Sequence, residues 1–126
     1  MKYRLIQKAN PLEPETERKW YASPVKAGTI NNYQLSKSIS SKSALTRGNV
    51  MNVIENLVDE IPRYLTEGYS VNLNNFGTLR LSLSSEGVMS PDQFTPGNIK
   101  NMRVVFTPSP EFKDSLQKMQ FEKTDM

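Results

Sequence analysis

The hydrophobic pattern between residues 46 and 83 changes its period, which predicts a long helix followed by two strands. In the first part, apolar residues recur every three or four positions, the spacing of one helical face. These residues are Val50, Val53, Ile54, Leu57, Ile61 and Leu65. Thr46 can cap the start of this helix and Gly68 can end it. Pro62 falls inside the pattern, so we expect one kinked helix rather than two separate helices.

After Gly68 the apolar residues alternate with polar ones, which is typical of strands that bury one face. Val71 and Leu73 belong to the first such run, and residues 79–83 form the second. Asn74-Asn75-Phe76-Gly77 lies between the runs and supplies residues that accept the backbone angles of a tight turn. We therefore predict a β-hairpin, with Phe76 in the core beneath its turn.

The flanking segments predict further elements of the same unit. Asn31 and Gln34 have the spacing of a capping box, so a short helix is expected from there to about Ser40. Residues 99–107 are rich in β-branched and aromatic types and predict a third strand. A last helix should open at Ser109, with Phe112, Leu116 and Met119 on one face. Between the second and third strands, a single helical turn is expected at residues 90–93, with Phe94 turned inward.

The N-terminal residues predict a separate pair of strands. Residues 2–7 and 20–26 form the two runs, and Pro24 favours an edge position in the second. Six cations cluster on this predicted hairpin: Lys2, Arg4, Lys8, Arg18, Lys19 and Lys26. We expect Trp20 to pack in a core rather than stack on bases. The chain then divides into a hairpin extension at residues 1–29, a main domain at residues 30–120 and a flexible tail at residues 121–126.

Composition excludes several classes of chemistry. The 126 residues contain no Cys and no His, so thiol nucleophiles, disulfides and the commonest metal ligand and general base are absent. Serine pairs at 40–41 and 84–85 have no base available, and Asp59 and Glu60 are neighbours that point in different directions on a helix. We expect no catalytic residue, no metal, no cofactor and no small-molecule substrate.

The sequence also bears on location and on partners. No apolar run reaches the roughly 18 residues of a membrane helix, and residues 1–10 lack the apolar core of a signal peptide. We therefore expect a cytoplasmic protein with no membrane partner. The net charge is only +3, yet residues 1–50 hold nine Lys/Arg against three Glu. A basic half can favour polyanions such as nucleic acid, and an ordinary solvated surface explains the charge equally well.

The order of elements, together with the segment EGYSVNLNNFGTL, resembles the bacterial histone-like family of HU and integration host factor. Glu67-Gly68, Val71, Leu73 and Phe76-Gly77-Thr78 carry the resemblance, and residues 104–116 are similar to that family's last strand and closing helix. The resemblance covers about residues 31–118. The N-terminal strands look like the extension of a variant group common in Bacteroidetes.

The resemblance implies an α+β protein with the IHF-like DNA-binding fold. It would comprise a helical hairpin, a three-stranded antiparallel sheet, a C-terminal helix, an added N-terminal β-hairpin and a shortened arm. It also implies an intertwined homodimer that binds double-stranded DNA on its sheet, as a histone-like protein of the nucleoid. The DNA-binding residues would be Arg80, Arg103, Lys100, Arg47 and Lys113.

One departure from the family pattern is large. In the family, the excursion between the second and third strands is a basic arm that enters the minor groove, where a proline wedges between base steps. Here residues 81–99 contain no Lys or Arg and hold Glu86 and Asp92. This difference argues against strong wrapping or bending of DNA. A protein-interaction or structural module that has lost DNA wrapping is therefore the alternative function.

Overall fold

The computed structural model describes residues 1–9, 12–13, 15 and 17–124, and the chain forms two compact units. The strand unit comprises Met1–Ile30 and Gln117–Met126, and the helix–sheet unit comprises Asn31–Leu116. The helices are α1 (Asn32–Ser41), α2 (Arg47–Thr66) and α3 (Pro110–Leu116). The strands are β1 (Lys2–Lys8), β2 (Lys19–Pro24), β3 (Val71–Asn72), β4 (Gly77–Ser85), β5 (Ile99–Pro108) and β6 (Glu122–Lys123).

Helices α1 and α2 begin and end close to where the sequence predicts. Asn31 and Gln34 form the complete capping box of α1, with the Gln34 backbone N–H donating to Asn31 Oδ1 at 2.9 Å. Thr46 caps α2 by accepting from the Asn49 backbone N–H at 3.1 Å. Gly68 follows α2 with φ of +94°, a backbone conformation that glycine adopts at little cost. Residues 47–66 form a single helix with Pro62 inside it, as expected.

The helix–sheet unit contains a three-stranded sheet in the order β3–β4–β5, with antiparallel neighbours. The β3–β4 turn is stabilised by the Leu73 backbone N–H, which donates to the Gly77 carbonyl at 2.9 Å. Asn74 adopts a left-handed φ of +50° in that turn. The mixed α+β architecture predicted from the sequence is therefore present.

Aromatic side chains pack together beneath the β3–β4 turn. The Phe76 ring lies 4.9 Å from that of Phe106 and 5.1 Å, edge-on, from that of Phe112. Phe76 nevertheless keeps 47% of its surface exposed, so the prediction that it lies in the core was wrong in degree. Among the described residues of this chain, Val50 and Leu65 are the buried hydrophobic side chains. A single chain therefore leaves most of its apolar side chains in contact with solvent.

The strand unit contains a second sheet in the order β2–β1–β6. β1 pairs with β2 in antiparallel fashion from Tyr3↔Pro24 to Lys8↔Lys19, and β6 pairs with β1 in parallel fashion. Residues 122–123 had been assigned to a flexible tail. That expectation was wrong for these two residues, because their backbone pairs with β1 and the Thr124 N–H donates to the Tyr3 carbonyl at 2.8 Å.

Two other expectations require correction. Trp20 is 64% exposed, because β2 is an edge strand of this small sheet, and it does not pack in a core. The last helix ends at Leu116, so Met119 lies outside it. No helix in the described part of the chain is both long and apolar enough to cross a lipid bilayer.

Gly77 allows a close approach between β4 and β5, which yields a test of the packing. Its φ is +156°, and a Cβ there would lie 2.6 Å from both the Thr107 carbonyl oxygen and the Phe106 ring. We expect Gly77→Ala to lower the free energy of unfolding by about 2–4 kcal/mol, through strain and overpacking. Gly48, inside α2, has nothing within 4 Å of such a Cβ. Gly48→Ala should therefore raise the free energy of unfolding by up to about 1 kcal/mol.

Urea denaturation followed by circular dichroism measures both changes. Equal stability of Gly77→Ala and the unchanged protein would contradict the close approach at Gly77.

Candidate functional site

Three of the predicted DNA-binding residues lie on one face of the β4–β5 sheet. Directly paired residues in an antiparallel sheet point to the same face, and residues two apart along a strand share that face. Arg80 pairs with Val105, and Ser82 pairs with Arg103, so both arginines share a face. We call this the polar sheet face. Its other members are Asn72, Thr78, Ser82, Ser84, Lys100, Val105 and Thr107.

Lys100 reaches the polar sheet face because β5 contains a bulge. Residues 100 and 103 are three apart and would point to opposite faces of a regular strand. The pairing changes register between Ser82↔Arg103 and Ser84↔Lys100, so β5 holds one extra residue there. Asn101 lies in this segment with a left-handed φ of +51°, as in the bulge type that favours glycine. The bulge therefore places Lys100 on the same face as Arg103.

Most hydrophobic side chains of the sheet lie on its opposite face, which we call the apolar sheet face. Leu79 pairs with Phe106 and Leu81 pairs with Val104, and Val71 joins them across from Leu79. A cavity of about 460 Å³ with Leu65, Leu81, Leu83 and Met102 among its lining residues opens between the end of α2 and the sheet.

Arg80 and Arg103 are both exposed and available for an external ligand. Lys100 is less available, because its Nζ lies 3.5 Å from Glu86 Oε1. In the described part of the chain, neither arginine takes part in an ion pair. Hydroxyl groups beside the two arginines also suit an anion, since Ser82 and Thr78 lie on the same face and can donate hydrogen bonds.

The excursion from residue 86 to residue 98 is a short folded loop rather than an extended arm. Its ends are joined, since the Glu86 backbone N–H donates to the Asn98 carbonyl at 2.8 Å. Two 3₁₀ turns fill it, Pro91–Gln93 as predicted and Pro96–Asn98 in addition. Thr95 and Asn98 form a capping box around the second turn. Phe94 is 39% exposed, so the expectation that it turns inward was wrong.

The two remaining predicted residues lie on helices instead of the sheet. Arg47 begins α2, donates from Nη1 to Tyr33 Oη at 2.8 Å and stacks over the Tyr33 ring, with its guanidinium carbon 4.6 Å from the centroid. This contact joins α2 to α1 and occupies the guanidinium. Lys113 is exposed in the last turn of α3.

Two observations narrow the chemistry of the described residues. No group of three or more His, Cys, Asp or Glu side chains among them is arranged to hold a metal ion. Among them, the pKa of Arg63 is raised above its ordinary value, because its guanidinium donates a hydrogen bond to the Glu60 carboxylate at 2.7 Å. Arg63 is thus an ordinary paired cation on the surface of α2.

The bulge at Asn101 is the functional feature that sequence reasoning missed. The segment IKNMRVVFT was interpreted as a regular strand, although an Asn inside a strand is unusual and tolerates left-handed φ. That asparagine was the available sign that Lys100 and Arg103 share a face.

Comparison with known protein families identifies the family of this chain. The family model "HU-HIG: HU domain fused to wHTH, Ig, or Glycine-rich motif" matches residues 1–123. The chain belongs to this HU-HIG family. A search of curated proteins finds no match.

Two solved structures share the fold. One is that of a candidate bacterial DNA-binding protein from Bacteroides vulgatus ATCC 8482, with a TM-score of 0.63 and 14% sequence identity. It covers 97% of this chain, which spans only 47% of the length of that protein. The other is Anabaena HU in a cocrystal with DNA, with a TM-score of 0.55 and 16% identity. The match covers 71% of this chain and 100% of the Anabaena HU chain. The HU/IHF-type fold predicted from the sequence is therefore confirmed.

The bulge can be tested through the residue that forms it. Asn101→Gly should keep the stability within about 0.5 kcal/mol or raise it, because glycine adopts left-handed φ freely. Asn101→Val should lower the free energy of unfolding by about 1–2 kcal/mol, because a β-branched residue is strained at that φ. Thermal melting followed by circular dichroism distinguishes the two variants. A valine variant as stable as the glycine variant would refute the left-handed conformation at Asn101.

Proposed function

We propose that this HU-HIG protein binds double-stranded DNA without catalysis and largely without sequence preference, as a histone-like homodimer of the nucleoid. The observation that carries the proposal is the placement of Arg80, Arg103 and Lys100 on one sheet face, with Val105 among them and the leucines of β4 on the other face. The family match and the fold shared with Anabaena HU, which was crystallised with DNA, support it.

The chemistry of the polar sheet face suits the phosphate backbone. Arginine presents a planar fork of donors that matches phosphate oxygens, and the hydroxyls of Ser82 and Thr78 add neutral donors. Contacts to phosphates position a protein on the duplex and carry no direct sequence information. Binding through this face should therefore depend strongly on salt and weakly on sequence.

Exposed apolar side chains support a homodimer. In the single chain, Val104 on the apolar sheet face is 63% exposed, and Met102 is 67% exposed. Val53, on the apolar stripe of α2, is 54% exposed, and Val58 in the same helix is 67% exposed. An apolar helix stripe and an apolar sheet face left open together require a partner surface. A second copy of the chain supplies the same surfaces by symmetry.

The folded excursion limits what the bound DNA undergoes. The loop between β4 and β5 contains no Lys or Arg, and Glu86 neutralises Lys100 beside it. An acidic loop is repelled by the duplex, and its short closed ends leave no extended arm to enter the minor groove. We therefore propose binding along one side of the duplex, with little wrapping.

The same observation supports a second candidate function. A helix–sheet unit that lacks the basic arm could act as a protein-interaction or structural module. The family description, in which the HU domain is fused to other motifs, is compatible with that role. The two functions differ in whether the polar sheet face binds DNA.

The first test removes the two arginine charges. We expect Arg80→Gln/Arg103→Gln to weaken binding to a duplex by about tenfold or more. The salt slope should fall by about four, since the homodimer loses two arginines from each chain and each phosphate contact contributes about one unit. Fluorescence anisotropy titrations at several salt concentrations measure both quantities. Stability should be unchanged, because both side chains are exposed.

The matched control is Lys37→Gln/Lys42→Gln, which removes two charges from α1 and from the residue that follows it. Its effect on affinity should be less than about twofold. Loss of affinity in both pairs to the same degree would remove the sheet face from the site. No binding by the unchanged protein at low salt would favour the interaction module instead.

The homodimer is tested by charging the apolar sheet face. The unchanged protein should sediment with twice the 14.3 kDa mass of one chain. Val104→Asp should give a monomer or an unfolded chain, because a buried carboxylate without a partner costs several kcal/mol. Val88→Asp, in the excursion, should remain dimeric. Sedimentation velocity together with circular dichroism distinguishes these outcomes, and a dimeric Val104→Asp variant would exclude this face from the interface.

A further inference from the structure

The small sheet of the strand unit separates its charged and apolar side chains onto two faces. Tyr3 pairs with Pro24 and Leu5 with Ala22, so these residues share one face with Trp20. We call it the apolar strand face, and Phe121 borders it through a cavity that it lines with Met1 and Tyr3. The intervening residues point the other way and form the cationic strand face. Its members are Lys2, Arg4, Ile6, Lys8, Lys19, Tyr21 and Ser23.

The net positive charge of the chain lies in the strand unit. The helix–sheet unit, residues 31–116, holds eight Lys/Arg and eight Asp/Glu and is neutral overall. The strand unit holds eight Lys/Arg against five Asp/Glu, which accounts for the whole +3 of the chain. Four of those eight cations lie on the cationic strand face.

The arrangement of these four cations is unfavourable unless an anion neutralises it. Lys8 and Lys19 are directly paired across the two strands, a placement in which like charges repel. The Lys8 ammonium lies 6.0 Å from the centroid of the Tyr21 ring. All four side chains are exposed, and within the part of the chain that the structure describes none of them takes part in an ion pair. One carboxylate, that of Glu122, is next to Lys2 in register.

The length of the cationic strand face favours a long anion over a small one. From Lys2 to Lys8 the strand rises about 20 Å, at about 3.3 Å per residue. One strand of duplex DNA presents a phosphate every 3.4 Å of helix axis, so about six phosphates span that length. A small anion would neutralise one or two of the cations and leave the others uncompensated.

The position of the aromatic residues favours nucleic acid over a lipid surface. A segment that binds at a membrane interface presents its apolar side chains to the same surface as its cations. Here Trp20 and Phe121 are on or beside the apolar strand face, opposite the cations. The cationic strand face itself offers a bilayer Tyr21 and the half-buried Ile6, whereas the larger exposed aromatic surface of Trp20 and Phe121 lies away from the cations.

We propose that the cationic strand face is a second surface for the phosphate backbone of double-stranded DNA, with the paired Lys8 and Lys19 at one end of it. This inference rests on the DNA binding proposed above and assigns a part of it to a unit outside the helix–sheet unit. Two linked surfaces raise overall affinity because the second contact forms at a high effective concentration. The neutral helix–sheet unit thereby gains the long-range attraction that it lacks.

The test compares two double variants of the full chain that remove equal charge from the strand unit. Lys8→Gln/Lys19→Gln alters the cationic strand face. Lys26→Gln/Lys123→Gln is the matched control, because Lys26 follows β2 and Lys123 pairs beside Tyr3 on the apolar strand face. Trp20 is the single Trp of the chain, so its fluorescence verifies that the strand unit is folded in each variant.

We expect Lys8→Gln/Lys19→Gln to weaken binding to a 40-base-pair duplex by about tenfold or more in anisotropy titrations. The salt slope should fall by about four, because the homodimer loses two lysines from each chain. The control should change affinity by less than about twofold. Equal affinity of the two double variants would overturn the inference.

The outcomes distinguish this inference from the proposed function. If Arg80→Gln/Arg103→Gln loses DNA and Lys8→Gln/Lys19→Gln keeps it, the proposed function stands and this inference falls. The reverse result supports this inference and removes the polar sheet face from the site. No DNA binding by the unchanged protein overturns both. Loss of binding to phosphatidylserine vesicles by Lys8→Gln/Lys19→Gln, with DNA binding unchanged, would overturn it in favour of a lipid surface.

Discussion

The antiparallel pairing of β4 with β5 is the constraint on which the helix–sheet unit depends. Because side chains alternate along a strand, one register decides at once which residues face the helices and which face solvent. The register that pairs Leu81 with Val104 also brings Arg80 and Arg103 to the other face. A shift of β5 by one residue would move Arg103 to the apolar sheet face and Val104 to the polar sheet face. The extra residue at Asn101 then extends the cationic row to Lys100 without disturbing the apolar pairs.

The same pairing explains why a single chain is incompletely packed. One three-stranded sheet and one long helix cannot surround each other, so both retain apolar surface. Val50 and Leu65 are buried, whereas Leu57, on the same helical stripe, is 38% exposed. Hydrophobic burial contributes about 25 cal/mol per Å², so this surface represents a large unrealised stabilisation. The homodimer proposed above would recover it.

Local signals in the sequence predicted the helix–sheet unit well. Capping residues such as Asn31 and Thr46 determine helix starts through contacts only three residues long, and Gly68 ends α2 through its own backbone. The strand alternation assigned Arg80 to the exposed face. Such features depend on neighbours along the chain and can therefore be identified without tertiary information.

Several of the failures depend on contacts between distant residues. Trp20 was expected in a core, and whether another element covers its side chain is a tertiary property, although Pro24 did indicate that β2 lies at an edge. Residues 122–123 pair with β1 across more than a hundred positions. Placing Lys100 on the polar sheet face required knowledge of the bulge. Assigning the two faces of the strand unit required the register of β1 with β2. Strand register is a tertiary property, which composition and periodicity leave open.

The separation of charge between the two units has a consequence for how a protein of this kind approaches DNA. Long-range attraction follows net charge, whereas specific placement follows individual contacts. The helix–sheet unit carries well-placed cations but no net charge, because residues such as Glu86 balance them. The strand unit carries the excess. In the binding proposed above, the strand unit would supply the long-range attraction, and the polar sheet face would position the duplex.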